Sequence, residues 1–189
     1  MPRRGGALRA ALGRGLLRLL GWRLEAGLPD LPKFVVIAAP HSSNWDFLVG
    51  IGAAFALRLD FNFVGKAELF RGPLGLLMRA LGGLPVDRYR PEGFVSQLVG
   101  LFAAREKMVL AMAPEGTRKP VARWKSGFHR VALAAGVPIV PAYFDNGRRR
   151  VGFGPPCYPS EDAEADIAAL REYYARFPRR ELVGKPAGR

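Results

Sequence analysis

The sequence of 189 residues contains few of the side chains that bind metals or cross-link a chain. It has one cysteine, Cys157, and two histidines. A single cysteine cannot form an internal disulfide, and three soft ligands fall short of the four that a structural zinc site takes. We therefore expect neither a disulfide nor a metal centre, and the composition permits a reducing compartment.

Acidic residues are also scarce. Sixteen Asp and Glu stand against 29 Lys and Arg, which gives a formal net charge of +13. A balance this basic favours anionic partners, namely a phospholipid surface, a nucleic acid or a phosphorylated substrate. Composition alone does not choose among these three.

The sequence lacks a long apolar run. No segment reaches the roughly 18 unbroken apolar residues that a membrane-spanning helix needs. The basic and apolar start is typical of a signal peptide, but Arg9, Arg14 and Arg18 interrupt it and no small-residue cleavage site follows. We therefore expect a protein that does not cross a bilayer.

Residues 8–23 instead predict a basic amphipathic helix. Its apolar face consists of four leucines at helical spacing, Leu8, Leu12, Leu16 and Leu19. Arg14 and Arg18 fall on the opposite side. Two interpretations fit this pattern: the helix lies on a surface of anionic lipid, or it packs on its own domain and directs its arginines to water.

Strand patterns and helix patterns alternate through the rest of the chain. The predicted strands are 34–39, 61–64, 84–86, 108–112 and 139–144, with 151–153 as an edge strand. The predicted helices are 45–57, 74–81, 94–105, 124–135 and 162–176. This alternation predicts an α/β fold with a mixed, mainly parallel sheet flanked by helices. We expect residues 1–30 to form the amphipathic helix and a linker, 31–178 the main domain and 179–189 a mobile tail.

The loop after the first buried strand holds His41 and, five residues later, Asp46. In α/β sheets the chemistry collects in such loops. A histidine can accept a proton near neutral pH, and a carboxylate on its other ring nitrogen fixes the tautomer. Within one helix the two would lie about 140° apart, so His41 must lie in the loop and Asp46 in the first helical turn. Taken alone, the pair also fits a histidine bonded to backbone beside an aspartate that favours the helix dipole.

A second polar loop follows the strand 108–112 and contains Pro114, Glu115, Gly116, Thr117 and Arg118. Its glycine permits close backbone approach, and its hydroxyl and guanidinium suit a phosphate group. Lys66 and Arg88 follow two other predicted strands, so they can converge with Arg118 on one anion. The alternative is that all three are solvated surface cations.

Four blocks in this order resemble the glycerol-phosphate and lysophosphatidic acid acyltransferases, whose signature begins with His-x4-Asp. The blocks are residues 41–46, 83–88, 114–118 and 137–141, and the resemblance covers roughly 33–145. It implies transfer of a fatty acyl group from acyl-CoA or acyl carrier protein to a hydroxyl of a lysophospholipid or glycerol-phosphate-like acceptor. It further implies that no metal or other cofactor takes part.

The resemblance also assigns roles to residues. It implies that His41 is the general base and Asp46 its partner, and that the acceptor contacts are Arg88, Glu115, Gly116, Thr117 and Arg118. We expect backbone N–H groups around Gly116 to stabilise the tetrahedral oxyanion. We expect a short form of this family without transmembrane segments, bound peripherally to anionic lipid at the cytoplasmic face of the cell membrane and not to nucleic acid.

Two other interpretations stay open. A non-catalytic basic module that binds anionic lipid or nucleic acid explains the charge, but gives no reason for the His41–Asp46 pair. A serine nucleophile, Ser42 or Ser43, is a variant of the enzyme hypothesis. We favour direct attack by the acceptor, because it needs no acyl-enzyme. We expect the second histidine, His129, to be a packing or surface residue of its helix.

Overall fold

The computed structural model describes residues 1–25, 27–41, 43–86, 91–117 and 121–177. Its strands are β1 (Arg23–Leu24), β2 (Lys33–Ala39), β3 (Asn62–Lys66), β4 (Gly83–Val86), β5 (Met108–Met112), β6 (Ile139–Asp145) and β7 (Arg150–Phe153). Its helices are α1 (Ala7–Leu19), α2 (Asn44–Ala56), α3 (Gly72–Ala80), α4 (Pro91–Ala103), α5 (Gly127–Ala134) and α6 (Ala163–Ala175), with a 3₁₀ helix at Ala67–Phe70. The predicted tail, residues 179–189, lies outside the described residues.

The strands form one seven-stranded sheet in the order β1-β7-β6-β2-β5-β3-β4. The β6–β7 pair is antiparallel, and the other pairs are parallel. The prediction of a mixed, mainly parallel α/β sheet with an N-terminal helix is therefore confirmed. One strand was placed wrongly, since β7 is not at the edge: β1 pairs with it and lies outside it.

Several predicted helix boundaries differ from the structure, and two of these differences have a clear local reason. The first helix ends at Leu19 rather than 23, because Gly21 adopts a left-handed conformation with φ of +72°. The fifth begins at Gly127 rather than 124, because the Lys125 N–H donates to the carbonyl of Pro114 over 2.9 Å. This bond attaches the segment before α5 to the polar loop after β5.

The order of the strands determines which face of the sheet each helix covers. The chain moves in one direction from β2 to β3 to β4 and back in the other from β4 to β5 to β6. Because crossovers between parallel strands are right-handed, α2 and α3 lie on one face and α4 and α5 on the other. The two core clusters agree: Val35, Ile37 and Leu110 pack with α4, α5 and α6, and Phe34 and Val36 pack with α2.

Helix α1 packs on α2 at very short range. Its contact residues are Ala10, Gly13 and Leu17, and a Cβ added to Gly13 would lie 2.3 Å from the backbone nitrogen of Ala56. Three leucines of the predicted apolar face nevertheless stay exposed: Leu8 by 74%, Leu12 by 58% and Leu19 by 84%. The helix thus packs on its domain and still presents an apolar face. No helix in the described part of the chain is both long and apolar enough to cross a membrane.

Candidate active site

Ser43 caps α2 and fixes the carboxylate of Asp46. The Ser43 hydroxyl accepts a hydrogen bond from the Trp45 N–H over 3.2 Å. The Ser43 N–H donates to Asp46 Oδ2 over 2.7 Å, and its hydroxyl donates to Asp46 Oδ1 over 3.2 Å. This reciprocal arrangement is a capping box. Because the Ser43 hydroxyl is engaged in the cap, the structure gives no support to Ser43 as a nucleophile, and Ser42 lies outside the described residues.

His41 faces the same carboxylate. Its Nδ1 lies 3.5 Å from Asp46 Oδ2, and the side chains are 26% and 2% exposed. A distance at this upper limit is common for catalytic hydrogen bonds before substrate tightens them. The structure therefore brings together the two residues that the sequence singled out, with a buried acid behind a partly accessible imidazole.

A third residue, Glu115, joins the two polar loops. Its side chain is 5% exposed, and Oε2 accepts a hydrogen bond from the backbone N–H of His41 over 2.8 Å. β2 and β5 are adjacent and parallel, so the loops after them meet at the same edge of the sheet. Glu115 thereby positions the backbone of His41, a function that the sequence pattern did not predict.

The turn after Glu115 is built around Gly116, whose φ of +64° lies in the left-handed region. Its N–H donates to the carbonyl of Ala113 over 3.1 Å. This N–H is therefore used within the turn, and the expectation that backbone N–H groups around Gly116 stabilise the oxyanion stays a prediction. The Thr117 side chain is exposed.

Lys125 is a cation at this turn that sequence reasoning missed. A Cβ on Gly116 would lie 3.0 Å from its Cε and 3.3 Å from its Nζ, so the ammonium group lies over the glycine. No motif marks Lys125. It reaches this position because its backbone N–H donates a hydrogen bond to the carbonyl of Pro114, which precedes it by 11 residues in the chain.

A cavity of about 280 Å³ opens beside the loops. Its lining includes Pro40, Glu115, Trp124, Arg171, Tyr174 and Phe177. The Tyr174 hydroxyl donates to the carbonyls of Ile37 and Ala142 over 2.7 and 2.9 Å, which fixes α6 against β2 and β6. Burial raises the pKa of Tyr174 well above its ordinary value, so this phenol stays neutral.

The sequence of this chain is similar to known proteins. The sequence model of the family described as Acyltransferase matches residues 27–145. The chain belongs to the Acyltransferase family. The matched segment begins before β2 and ends with β6, so it contains both polar loops of the site.

Curated relatives of this chain carry a more specific name. A 1-acyl-sn-glycerol-3-phosphate acyltransferase of Salmonella typhimurium is 30% identical over 146 residues, which cover 72% of this chain and 58% of the relative. The protein of that name from Escherichia coli K12 is 31% identical over 136 residues, 67% and 54% of the two chains. The chain thus spans about half the length of the curated relatives it matches.

A solved structure has the same fold. It is the crystal structure of PlsC from Thermotoga maritima, described as a 1-acyl-sn-glycerophosphate (LPA) acyltransferase. The TM-score is 0.59 at 20% identity, and the match covers 91% of this chain and 80% of the other. At this identity the likeness supports the acyltransferase fold and carries no argument about substrate.

The structure describes only part of the set of cations predicted to bind an anion at the candidate site. Arg88 and Arg118 lie outside the described residues. Lys66 is the last residue of β3 and pairs with Val86 of β4, which places its backbone at the edge of the sheet where the two polar loops meet. Convergence of the three side chains on one anion stays a prediction.

The second histidine forms a different pair. His129 is 1% exposed, and its Nε2 lies 2.8 Å from Asp166 Oδ2, which joins α5 to α6. Burial raises the pKa of Asp166, but hydrogen bonds from the Ser160 N–H and from His129 outweigh burial, so this pKa is lowered overall. His129 does not line the cavity beside the loops, and it agrees with the expectation of a packing histidine.

Proposed function

We propose that this protein transfers a fatty acyl group from an acyl thioester to a hydroxyl of a lysophospholipid or glycerol-phosphate-like acceptor. Membership of the Acyltransferase family supports acyl transfer, and the names of the curated relatives support 1-acylglycerol 3-phosphate as the acceptor. The observation that carries the proposal is the His41–Asp46 pair, with 3.5 Å between Nδ1 and Oδ2.

In the proposed mechanism, His41 acts as general base through Nε2, the nitrogen on the far side of the ring from Asp46. It removes the proton of the acceptor hydroxyl while that oxygen attacks the thioester carbonyl. Asp46 stabilises the imidazolium that forms. Collapse of the tetrahedral intermediate breaks the carbon–sulfur bond, and the imidazolium returns the proton to the leaving thiolate. General acid–base catalysis of this kind raises the reaction rate about 10²–10⁴-fold.

The acceptor's phosphate would bind near the turn after β5. Lys125 supports this placement because its ammonium group lies over Gly116. We propose Lys66, Arg88 and Arg118 as further cations around the phosphate, and the Thr117 hydroxyl as a donor to it. Arginine suits this work because its planar fork donates two parallel hydrogen bonds to phosphate oxygens. The reaction needs no cofactor beyond its thioester, which is either acyl-CoA or acyl carrier protein.

We also propose that the protein works as a peripheral protein at the cytoplasmic face of the cell membrane. The exposed leucines of α1 are suited to the interfacial region of a bilayer, and Arg14 and Arg18 to its anionic headgroups. Contact with the bilayer would bring the enzyme to its lipid acceptor.

The proposal is tested by incubating the purified protein with acyl-CoA or acyl carrier protein and a panel of lysolipids. Thiol release and the mass of the acylated lipid are measured. We expect fastest turnover with 1-acylglycerol 3-phosphate and slower turnover with lysolipids whose phosphate is esterified. His41→Ala should lower kcat about 10²–10⁴-fold. A His41→Ala protein that keeps most of its activity would overturn the mechanism, and an inactive wild type would overturn the function.

A further inference from the structure

Exposed apolar side chains are concentrated in a few helices of the molecule. In the described part of the chain, ten large hydrophobic side chains are more than one-third exposed. Nine of them lie on α1, on α2, on the 3₁₀ helix or on α3, and Tyr158 is the tenth. The nine are Leu8, Leu12, Leu19, Trp45, Leu48, Leu69, Leu74, Leu76 and Leu77.

These helices cover the same face of the sheet. The right-handed crossovers place α2 and α3 together, and side-chain contacts agree. Phe47 of α2 meets Phe63 of β3 with ring centroids 5.2 Å apart. A Cβ on Gly83 would lie 2.9 Å from Phe63 and 2.7 Å from the ring of Phe70, the residue that ends the 3₁₀ helix. Phe70 and the α3 helix behind it therefore pack on the α2 face.

Helix α3 packs through a glycine and leaves its leucines exposed. Gly75 is buried, and a Cβ there would lie 2.3 Å from the backbone of Phe70. Leu74, Leu76 and Leu77 are 51%, 73% and 53% exposed. Soluble proteins rarely leave several large apolar side chains exposed side by side unless the patch binds something.

We propose that the leucine ridge (Leu69, Leu74, Leu76 and Leu77) is a second lipid-contact element, which docks the α1–α2–α3 face on an anionic bilayer together with α1. The inference rests on the proposed function, because a lipid acceptor gives the enzyme a reason to stay at the bilayer. It adds a contact that is remote in sequence from the N-terminal helix. Two separate points of contact fix the orientation of a protein on a surface, whereas one helix leaves it free to rotate.

The charges around the ridge fit an anionic bilayer. Arg71 and Arg79 are exposed at the two ends of α3, and Glu68 is the one acidic residue between positions 67 and 80. The Arg79 guanidinium lies 5.4 Å from the centroid of the Phe70 ring, so it is held beside the ridge. Apolar insertion flanked by basic side chains is the usual pattern of an interfacial helix.

The position of the ridge also suits the proposed reaction. The 3₁₀ helix follows β3 directly, so it begins at the edge of the sheet where the loops of His41 and Glu115 lie. α3 runs from there back to β4. A bilayer against the ridge would therefore lie close to the acceptor site, and a lysolipid could present its hydroxyl without leaving the membrane.

The test is a flotation assay with vesicles of phosphatidylcholine alone or with one-third phosphatidylglycerol. We expect L74S/L76S/L77S to weaken partition onto the anionic vesicles by about tenfold or more. Tyr158→Ser removes an exposed aromatic ring from outside this face and should change partition less than twofold. Circular dichroism and thermal unfolding confirm that both variants are folded. Unchanged partition of the triple variant would overturn the proposal.

Activity assays distinguish a failure of the leucine-ridge proposal from a failure of the proposed function. With a lysolipid in detergent micelles, the rate of acyl transfer by the triple variant should equal that of the wild type. With the same lysolipid in vesicles, its rate should be about tenfold lower than that of the wild type. A wild type that is inactive in both media but partitions through the ridge would overturn the function and leave the ridge intact. Should the triple substitution turn a dimer into a monomer without changing partition, the ridge would be a contact between copies and the lipid proposal would be wrong.

Discussion

The backbone N–H of His41 donates a hydrogen bond to the buried carboxylate of Glu115 over 2.8 Å. The proposed base is thus supported from two sides, by Asp46 at its ring and by Glu115 at its backbone. The second support comes from a loop 74 residues further along the chain. Acid–base geometry at the end of β2 therefore depends on the loop after β5.

Substitution of Glu115 should reveal this dependence. Glu115→Ala leaves the His41 N–H without its acceptor, which costs about 1–3 kcal/mol and loosens the loop. We expect kcat to fall at least about tenfold, since small displacements of a group that takes part in proton transfer lower the reaction rate strongly. Glu115→Gln retains an oxygen acceptor and should keep more activity than the alanine variant. Equal activities of the two variants, measured by thiol release, would show that the hydrogen bond does not position His41.

The contribution of Asp46 to the stability of the α2 cap should be separable from the contribution of its charge to catalysis. Asp46→Asn keeps an oxygen that can accept from the Ser43 N–H, but it removes the negative charge that stabilises an imidazolium. We expect a large loss of kcat with little loss of stability. Asp46→Ala should also lose the hydrogen bond from the Ser43 N–H, and its free energy of unfolding in urea should be about 0.5–2 kcal/mol lower. If Asp46→Asn turned over at the wild-type rate, the charge would have no catalytic function.

The sequence predicted the central part of the fold because its signals are local. The apolar run before Pro40 is typical of a strand buried on both faces, and β2 lies there. β1 was missed because it has only two residues and owes its existence to β7, over 120 positions away. Lys125 and Arg171 were missed for the same reason, since only tertiary packing brings them to the site.

The α1–α2 contact predicts opposite effects for two neighbouring glycines. A Cβ at Gly13 would lie 2.3 Å from the backbone of α2, whereas a Cβ at Gly15 meets nothing within 4 Å. Gly13→Ala should therefore destabilise the protein by about 1–3 kcal/mol. Gly15→Ala should stabilise it by up to about 1 kcal/mol, since alanine is the better helix former. Urea unfolding at pH 7 measures both, and a Gly13→Ala protein as stable as wild type would contradict the packing.

The His129–Asp166 pair predicts a dependence of stability on pH. Folding lowers the pKa of Asp166 from 3.8, so its ionised form stabilises the fold above that value. This contribution should disappear as the pH falls from about 4 through the lower pKa of the folded state. The loss of stability in Asp166→Asn should then be larger at pH 6 than at pH 3. Glu161→Gln, which removes an exposed carboxylate nearby, is the control, and a loss independent of pH would contradict the assignment.

The Oδ2 atom of Asp46 both accepts from the Ser43 N–H and faces the ring of His41. Helix initiation and imidazole alignment therefore share one oxygen atom. A substitution that shifts the first turn of α2 must also rotate Asp46 relative to His41, the proposed general base. Selection on activity would thus constrain how α2 begins. In other helices several side chains can form the N-terminal cap, whereas very few substitutions of Ser43 or Asp46 should be tolerated here.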